Sequence, residues 1–321
     1  MLSLVLAASH ALTVPSVELT QMLPMLPPMD PGAAATARFR LQGMTLSAPA
    51  YLSDLETVAV LDKASGSQFL QMGDDTVARL PGDGAVSTQT AFGAAALAAS
   101  GGASRKLGCV LMPSDATPAV APLPLEGAAT LTSVGFIAQT SDARLLVGVD
   151  DDTAGTTSII CLSADEPPAT LLTGVERTVS ACVSADERTL YLCHATGITR
   201  ASLKLDEGAC SMPVALPRLD LDGGSTYAVA VDVAGSIYVC SDDGVLLVDD
   251  DGDTLMRVTT PSPATGCCFA GKDLSEFLIT AGDTVWSIPS NSQGVKPPSP
   301  EFLKYMGKLS LADGDFRHVG W

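Results

Sequence analysis

The stretch that decides the fold runs from Tyr227 to Pro289 and reads YAVAVDVAGSIYVCSDDGVLLVDDDGDTLMRVTTPSPATGCCFAGKDLSEFLITAGDTVWSIP. Short apolar runs alternate in it with turns rich in Asp and Gly, the residues that tolerate the left-handed backbone of tight hairpins. The pattern predicts strand, turn and strand, several times over. A unit of this kind cannot bury its apolar faces alone, so a repeat architecture is expected.

Similar strands recur along the chain at a regular interval. Their spacing of roughly 38 to 47 residues is that of a four-stranded propeller blade. Six units fill residues 38–290 and predict an all-β, six-bladed β-propeller, preceded by a leader (1–37) and followed by a C-terminal extension (291–321). The innermost strands are expected around Ala50-Tyr51, Ala91-Phe92, Gly135-Phe136, Ala181-Cys182, Val229-Ala230 and Cys267 to Phe269.

Composition and charge exclude several classes of partner. The formal charge of −18 argues against nucleic acid and against an anionic membrane surface, because both need a basic footprint. Hydrophobic residues make up 46% of the chain, enough for a sizeable core. The eight cysteines show no CxxC spacing, so they are interpreted as small core residues rather than zinc ligands.

The two ends of the chain differ from its periodic middle. The opening MLSLVLAASHALTVPS resembles a short signal or targeting segment, too short to span a bilayer, and no other run reaches transmembrane length. It predicts the secretory pathway or an organelle such as a plastid, with a cytoplasmic location as the alternative. The Pro- and Met-rich residues 12–36 and the aromatic-bearing residues 291–321 are predicted to dock protein partners; for the tail, packing on its own propeller is the alternative.

The repeated units resemble a known family of propellers. The segments TVSACVSADERTLYLCHATGITRASLKLDEG, TYAVAVDVAGSIYVCSDDGVLLVDDDGDTLMRV and ATGCCFAGKDLSEFLITAGDTVWSI are similar to three blades of the gluconolactonase/regucalcin (senescence-marker-protein) family. The resemblance implies a six-bladed propeller that hydrolyses sugar lactones with a calcium or zinc ion held on its axis.

The same resemblance shows where the family's metal ligands should stand. Its first ligand, a Glu, matches Ser47; its second, an Asn, matches Val179. The third, an Asp that also serves as general base, matches Tyr227, and the Asn of the final blade matches Gly266. Hard divalent cations need several oxygen ligands, preferably anionic. The sequence therefore predicts no metal and no cofactor at this site.

Two functions remain open at this point. The first is a non-catalytic, gluconolactonase-like propeller that acts as a binding or scaffold module, for example an accessory subunit, with an axial pocket for a small molecule. The alternative is a divergent metal-dependent lactonase or esterase-type hydrolase with a relocated site. That site would use Ser47 or Ser180 as nucleophile and His194 as base, since a serine nucleophile needs a positioned base, or one of the acidic loops.

Two acidic runs complete the candidates, VDDD at 149–152 and VDDDGD at 248–253. In the second run, Asp249, Asp251 and Asp253 have the alternate spacing of a calcium loop. The distal Glu of such a loop is missing. This run is interpreted as a solvated hairpin turn.

Overall fold

The computed structural model describes residues 19–21, 29, 34–53, 56–71, 77–79, 86–92, 95–100, 106–111, 119–122, 126–163 and 165–296. Within these ranges the chain is almost entirely strand, with short 3-10 helices at Ala128–Thr130 and Leu205–Glu207. The strands in chain order are β1 (Leu19–Gln21), β2 (Thr36–Arg40), β3 (Leu46–Leu52), β4 (Thr57–Asp62), β5 (Gln68–Gln71), β6 (Val77–Arg79), β7 (Val86–Phe92), β8 (Ala95–Ser100), β9 (Lys106–Leu111), β10 (Ala119–Pro122), β11 (Val134–Gln139), β12 (Leu145–Asp151), β13 (Thr156–Leu162), β14 (Ala169–Glu176), β15 (Thr178–Val183), β16 (Thr189–His194), β17 (Gly197–Lys204), β18 (Ala209–Cys210), β19 (Val214–Ala215), β20 (Thr226–Val231), β21 (Ile237–Ser241), β22 (Gly244–Val248), β23 (Thr254–Thr259), β24 (Ala264–Ala270), β25 (Glu276–Ala281) and β26 (Thr284–Pro289).

In the described part of the chain these strands form antiparallel sheets of four or five strands. We number the sheets along the chain: sheet 1 is β3 to β6, sheet 2 is β7 to β10, sheet 3 is β11 to β14, sheet 4 is β15 to β19, sheet 5 is β20 to β23 with β1, and sheet 6 is β24 to β26 with β2. The first strand of each sheet contacts the first strand of the next, and β24 contacts β3. The predicted all-β propeller arrangement is therefore confirmed.

Hairpins of sheet 5 illustrate why the sequence folds in this way. A two-residue turn, Asp242-Asp243, joins β21 to β22, and Ser241 pairs with Gly244 across it. Gly244 has a φ of 121°, a backbone conformation that side-chain-bearing residues avoid. Both strands are buried at every position, because neighbouring sheets cover both of their faces. The continuous apolar runs IYVCS and GVLLV supply side chains that are suited to burial on both faces.

The core lies between the sheets rather than at the centre of the ring. Between sheets 5 and 6, the rings of Tyr238, Phe269 and Phe277 pack together with centroids 4.6 to 5.1 Å apart. The Tyr238 hydroxyl donates to Oδ2 of the fully buried Asp232 at 3.1 Å, so its polar end is satisfied.

Parts of the predicted leader belong to the sheets. Strand β2 pairs with β26 and begins at Thr36, two residues before the predicted start of the propeller. Strand β1 adds to the outer edge of sheet 5, and Met29 is fully buried and bridges to Ser290. These segments are short and carry no periodic signal, so their pairing partners were not visible in the sequence. Residues 1–18 and 297–321 of the predicted leader and tail lie outside the described residues.

Candidate ligand-binding channel

The innermost strands surround a cavity of about 620 Å³ on the propeller axis. We call the end where these strands begin the upper rim and the end where they finish the lower rim. The upper rim includes Ser47, Lys63, Asp150, Arg177 and Tyr227; the lower rim includes Ser141, Ser184, Glu187, Leu274, Val295 and Lys296.

Small side chains keep the middle of this channel open. Sheets 4, 5 and 6 contribute Ala181, Cys182, Ala228, Ala230 and Cys267 to the wall, all only partly buried although they lie at the centre of the molecule. On β20 the burial pattern alternates, with Val229 and Val231 packed between sheets and the alanines facing the axis. At these five positions the wall is therefore small and apolar, while Phe269 and the hydroxyl of Ser180 also line the channel on these sheets.

The thiols near this wall are poor nucleophiles. The seven cysteines whose side chains are described are all free. Burial raises the pKa of the Cys182 thiol well above its usual value and that of Cys193 to about 12. Because the thiolate is the reactive form, both thiols are protonated and inert near neutral pH. Cys182 lies opposite Tyr191 in the β15–β16 pair and Cys193 opposite Ser180, so the two cysteines are out of register.

At the junction of sheets 1 and 6, backbone fills the upper rim. Ser47 lines the channel here, followed by a bulge in which Ala48 has a φ of 45°. The bulge pushes Pro49 against Gly266: a Cβ atom at Gly266 would lie 2.5 Å from Pro49 Cδ and 2.8 Å from the Ala48 nitrogen. No side chain fits at residue 266, because Pro49 and the Ala48 backbone occupy the space. The position that matches the asparagine of the family's final blade therefore offers no side-chain ligand.

Tyr227 stands at the upper rim on β20. Its hydroxyl donates to Asp242 Oδ1 at 2.6 Å, and Asp242 Oδ2 accepts from the Ser225 backbone N–H at 2.8 Å. The hydrogen bond to Asp242 raises the pKa of Tyr227, while the Ser225 N–H and the Tyr227 hydroxyl hold the pKa of Asp242 below its usual value. The ammonium of Lys63, from the β4–β5 turn, lies 5.4 Å from the centroid of the Tyr227 ring. Sheet 5 thus offers an aromatic face where the family has a carboxylate.

A charged network forms the opposite side of the upper rim, on sheets 3 and 4. The Asp150 side chain is only 3% exposed and accepts from Thr157 Oγ1 at 2.9 Å. The Arg177 guanidinium lies 3.6 Å from Asp150 Oδ2 and 3.1 Å from Asp152 Oδ1. A Cβ atom at residue 135 would lie 2.7 Å from Asp150 Oδ1, so Gly135 leaves space for this carboxylate. Asp150 is part of the channel rim rather than of a solvated acidic turn.

Val179 lies next to this network and exposes 40% of its surface into the upper rim. It occupies the position that matches the family's asparagine ligand. An aliphatic side chain offers no oxygen, so it presents an apolar contact to anything that enters the channel.

Ser180 and His194, the candidate nucleophile and base, are separated by the structure. Ser180 lines the channel, where its hydroxyl accepts from the Val229 N–H at 3.5 Å. His194 is only 2% exposed and does not line the channel. Its Nε2 lies 2.7 Å from Thr199 Oγ1, and its Nδ1 lies 3.3 Å from the Arg177 carbonyl oxygen. Both ring nitrogens of His194 thus face groups inside sheet 4 and its neighbour rather than a rim serine, and a role of His194 as a base stays a prediction.

The residues of the upper rim do not fit a calcium or zinc ion. Across the described ranges, no group of three or more His, Cys, Asp and Glu side chains is arranged to hold a metal. Asp150 is the carboxylate that lines the upper rim, and it is already engaged by Thr157 and Arg177. In the run 248–253, Asp249 Oδ1 accepts from the backbone N–H groups of Asp251 and Asp253, which is the geometry of a hairpin turn.

The chain returns across the lower rim after β26. The Val233 N–H donates to the Gln293 carbonyl at 2.9 Å, and the Gly294 N–H donates to the Leu274 carbonyl at 2.9 Å. Residues 290–296, which we call the strap, therefore join the hairpin turns of sheets 5 and 6. Val295 from the strap and Leu274 from sheet 6 line this end of the channel and make it apolar on that side.

Comparison with known proteins identifies the family. Residues 138–283 match the family described as "SMP-30/Gluconolactonase/LRE-like region". Over this region the chain is similar to that family. The resemblance predicted from the three quoted blades is thereby confirmed. No curated protein sequence matches the chain.

Solved structures share the fold of this SMP-30/gluconolactonase-like chain. A structural-genomics target assigned as a gluconolactonase is 19% identical, with a TM-score of 0.72, and covers 87% of this chain and 99% of its own. A gluconolactonase from Xanthomonas campestris is 18% identical over 87% and 99%, with a TM-score of 0.68. Regucalcin from Agrobacterium tumefaciens, a calcium-binding protein, is 15% identical over 86% and 99%, also with a TM-score of 0.68. At these identities the likeness shows the fold.

In the described residues, no helix has the length and apolar character needed to cross a membrane.

Lys63 and Arg177 of the rim were not recognised in the sequence, and Asp150 was named only as part of the acidic run 149–152. Asp150 carried a usable signal, because in VDDD the alternation of β12 places it on the opposite face from Asp151. Lys63 carried none, since it comes from a turn of sheet 1 and meets Tyr227 of sheet 5 across the top of sheet 6.

Proposed function

We propose that this chain is a non-catalytic, gluconolactonase-like propeller that acts as a binding module. The observation that carries the proposal is the state of the upper rim. Tyr227 directs its hydroxyl to Asp242, Gly266 is closed by Pro49, and Val179 is aliphatic. Lactone hydrolysis by this family's chemistry needs a cation to polarise the carbonyl or activate water, together with a nearby base. These residues supply neither group.

The proposal includes the overall organisation of the chain. The sheets would act as six blades, with β2 and β26 side by side in the sixth. The ends of the chain, residues 12–36 and 291–321, would bind protein partners, as in an accessory subunit of a larger assembly. In support, β1 and the strap already lie on the outer edge of sheet 5 and across the lower rim.

Titration of the full chain with calcium and with zinc, followed by assays of lactone hydrolysis, tests the proposal. We expect no stoichiometric cation binding and lactone opening at the uncatalysed rate. A matched triple variant, Ser47→Glu with Val179→Asn and Tyr227→Asp, returns three ligand types to the rim and is expected to bind a cation measurably. Stoichiometric binding and cation-dependent turnover by the wild type would overturn the proposal.

The hydrolase alternative is tested with the same protein. An ester and lactone panel without added metal is expected to show no turnover. Turnover that disappears in Ser47→Ala or Ser180→Ala and survives in Thr199→Ala would instead establish a relocated serine hydrolase.

A further inference from the structure

We propose that the axial channel binds a small amphipathic carboxylate, with its carboxylate at Lys63 and its apolar body along the wall of sheets 4 to 6. This inference rests on the proposed binding function and names the class of ligand. It is carried by one cation at the rim that has no anionic partner among the described residues, together with the apolar character of the wall.

Lys63 differs from the other charged groups of the upper rim. Arg177 is engaged by Asp150 and Asp152, and Asp242 by Tyr227 and the Ser225 N–H. The Lys63 side chain is exposed, and the contact recorded for its ammonium is with the face of the Tyr227 ring. That contact leaves the donors of the ammonium available. A ligand anion at the rim would complete the pairing.

The ring of Tyr227 places this ammonium over the channel rather than in open solvent. Tyr227 is fixed by its hydrogen bond to Asp242 at 2.6 Å, and Lys63 lies 5.4 Å from the ring centroid. Both residues line the channel. Apolar walls below a charged rim concentrate its field along the axis, which favours an ion of opposite sign at the opening.

Below the rim, the channel fits an apolar body. Val179 is the exposed side chain at the top, and Ala181, Ala228, Ala230 and Cys267 follow towards the lower rim. The volume of about 620 Å³ lies within the range of about 300 to 1,000 Å³ that is usual for small-molecule sites. A sugar-like ligand would leave unpaired the hydroxyl groups that face these small apolar side chains, which is costly. An aliphatic or aromatic body would not.

The ligand could also bind in the reverse orientation, with its carboxylate at the lower rim. Lys296 lies there, beside the apolar pair Leu274 and Val295. Glu187 lines the same end and would repel a carboxylate, whereas the Asp150 carboxylate of the upper rim is paired with Arg177. The upper rim is therefore the favoured position for the head group, and Lys296 becomes a control for the placement.

Direct binding of a fluorescent fatty-acid analogue, 11-(dansylamino)undecanoate, tests the inference, with its methyl ester as the neutral match. We expect the carboxylate to bind more tightly than the ester and its affinity to fall as salt is raised. Lys63→Gln is expected to weaken binding of the carboxylate probe about fivefold, as for the loss of an exposed ion pair. Binding of the ester probe should be unchanged. Lys63→Arg is expected to restore most of the affinity. Ala228→Leu, which narrows the channel, is expected to weaken both probes.

Two control variants locate the effect. Lys204→Gln removes an ammonium from the outer strand β17 and is expected to change neither probe. Equal binding of ester and carboxylate, or a loss in Lys296→Gln but not in Lys63→Gln, would overturn the inference. Absence of binding of both probes would overturn it too. None of these results involves lactone turnover, so the non-catalytic proposal stands or falls on its own assay.

Discussion

The two sides of the upper rim are filled by different kinds of groups. On sheets 1 and 6, Ala48 and Pro49 fill the space beside Gly266 with backbone and a proline ring. On sheets 3 and 4, Gly135 leaves a space that the Asp150 carboxylate occupies, paired with Arg177. The positions matched to the family's ligands therefore lie beside backbone and a proline ring on one side and beside a charge network on the other. The two sides of the rim thus differ in chemistry as well as in shape.

The largest effect is expected on the filled side. Gly266→Asn returns the family's residue type, but its Cβ would meet Pro49 Cδ and the Ala48 nitrogen. Overpacking of this kind costs about 1–3 kcal/mol of the free energy of unfolding, and backbone contact places the change at the upper end. Urea denaturation measures it. The control is Gly155→Asn, a turn position with a φ of 67° and no atom within 4 Å of a Cβ, where Asn is tolerated. Equal stability of the two variants would show that this side of the rim can open.

An intermediate effect is expected on the charged side. Asp150→Asn removes the negative partner of Arg177 and weakens the acceptor for Thr157 Oγ1 inside a buried site. The free energy of unfolding should fall by about 1–3 kcal/mol. Asp152→Asn, at a side chain 56% exposed, should cost less than about 0.5 kcal/mol. Thermal or urea unfolding of both variants separates them. Equal costs would mean that Arg177, rather than the buried carboxylate, organises this side.

The smallest effect is expected between the two sides, at Tyr227→Phe. The Tyr227 hydroxyl is one of the groups that hold the pKa of Asp242 below its usual value. A carboxyl whose pKa is lower in the folded state stabilises the protein above its unfolded pKa of about 3.9, and that stabilisation is lost as pH falls through the folded pKa. Wild type should therefore exceed Tyr227→Phe in stability at pH 7, and the gap should close as the pH falls through the folded pKa of Asp242.

Urea unfolding of both proteins at pH 7 and at low pH measures the closing of that gap. The Asp242→Asn background provides the control, because Tyr227→Phe should have no pH-dependent effect there. A gap that persists at low pH would show that the hydroxyl acts through something other than the ionised carboxylate.

Sequence predicted the frame of this molecule better than its site. Each strand pairs with neighbours close in the chain, so alternation and turn residues sufficed to locate innermost strands such as those containing Ala181 and Val229. Strand β1 was missed because three residues, LTQ, carry no periodicity and pair with β23 from a distant part of the chain.

From the sequence, the site could be predicted only as a set of positions at which the family's ligand residues are missing. Ser47, Val179 and Tyr227, which were matched to the family's ligands, all line the channel, and their equivalence to those ligands stays a prediction. What occupies the rim instead depends on contacts between sheets far apart in sequence. Two examples are the contact of Lys63 with the Tyr227 ring and that of Pro49 with Gly266. No local sequence pattern predicts either contact.

The pairing of β2 with β26 has a consequence for how the molecule is made. Thr36 Oγ1 donates to the Ser287 carbonyl across 251 residues of chain, whereas the hairpins of each sheet join residues close in sequence. On a ribosome the early sheets can form as they emerge, but β2, the outer strand of sheet 6, has no partner strand until β26 has been synthesised. Such nonlocal contacts slow folding, because the chain loses entropy when the long loop closes, before the contacts themselves stabilise the fold. The ring is thus expected to close last, and a nascent or truncated chain that ends before β26 would expose the edge of β2 to other strands.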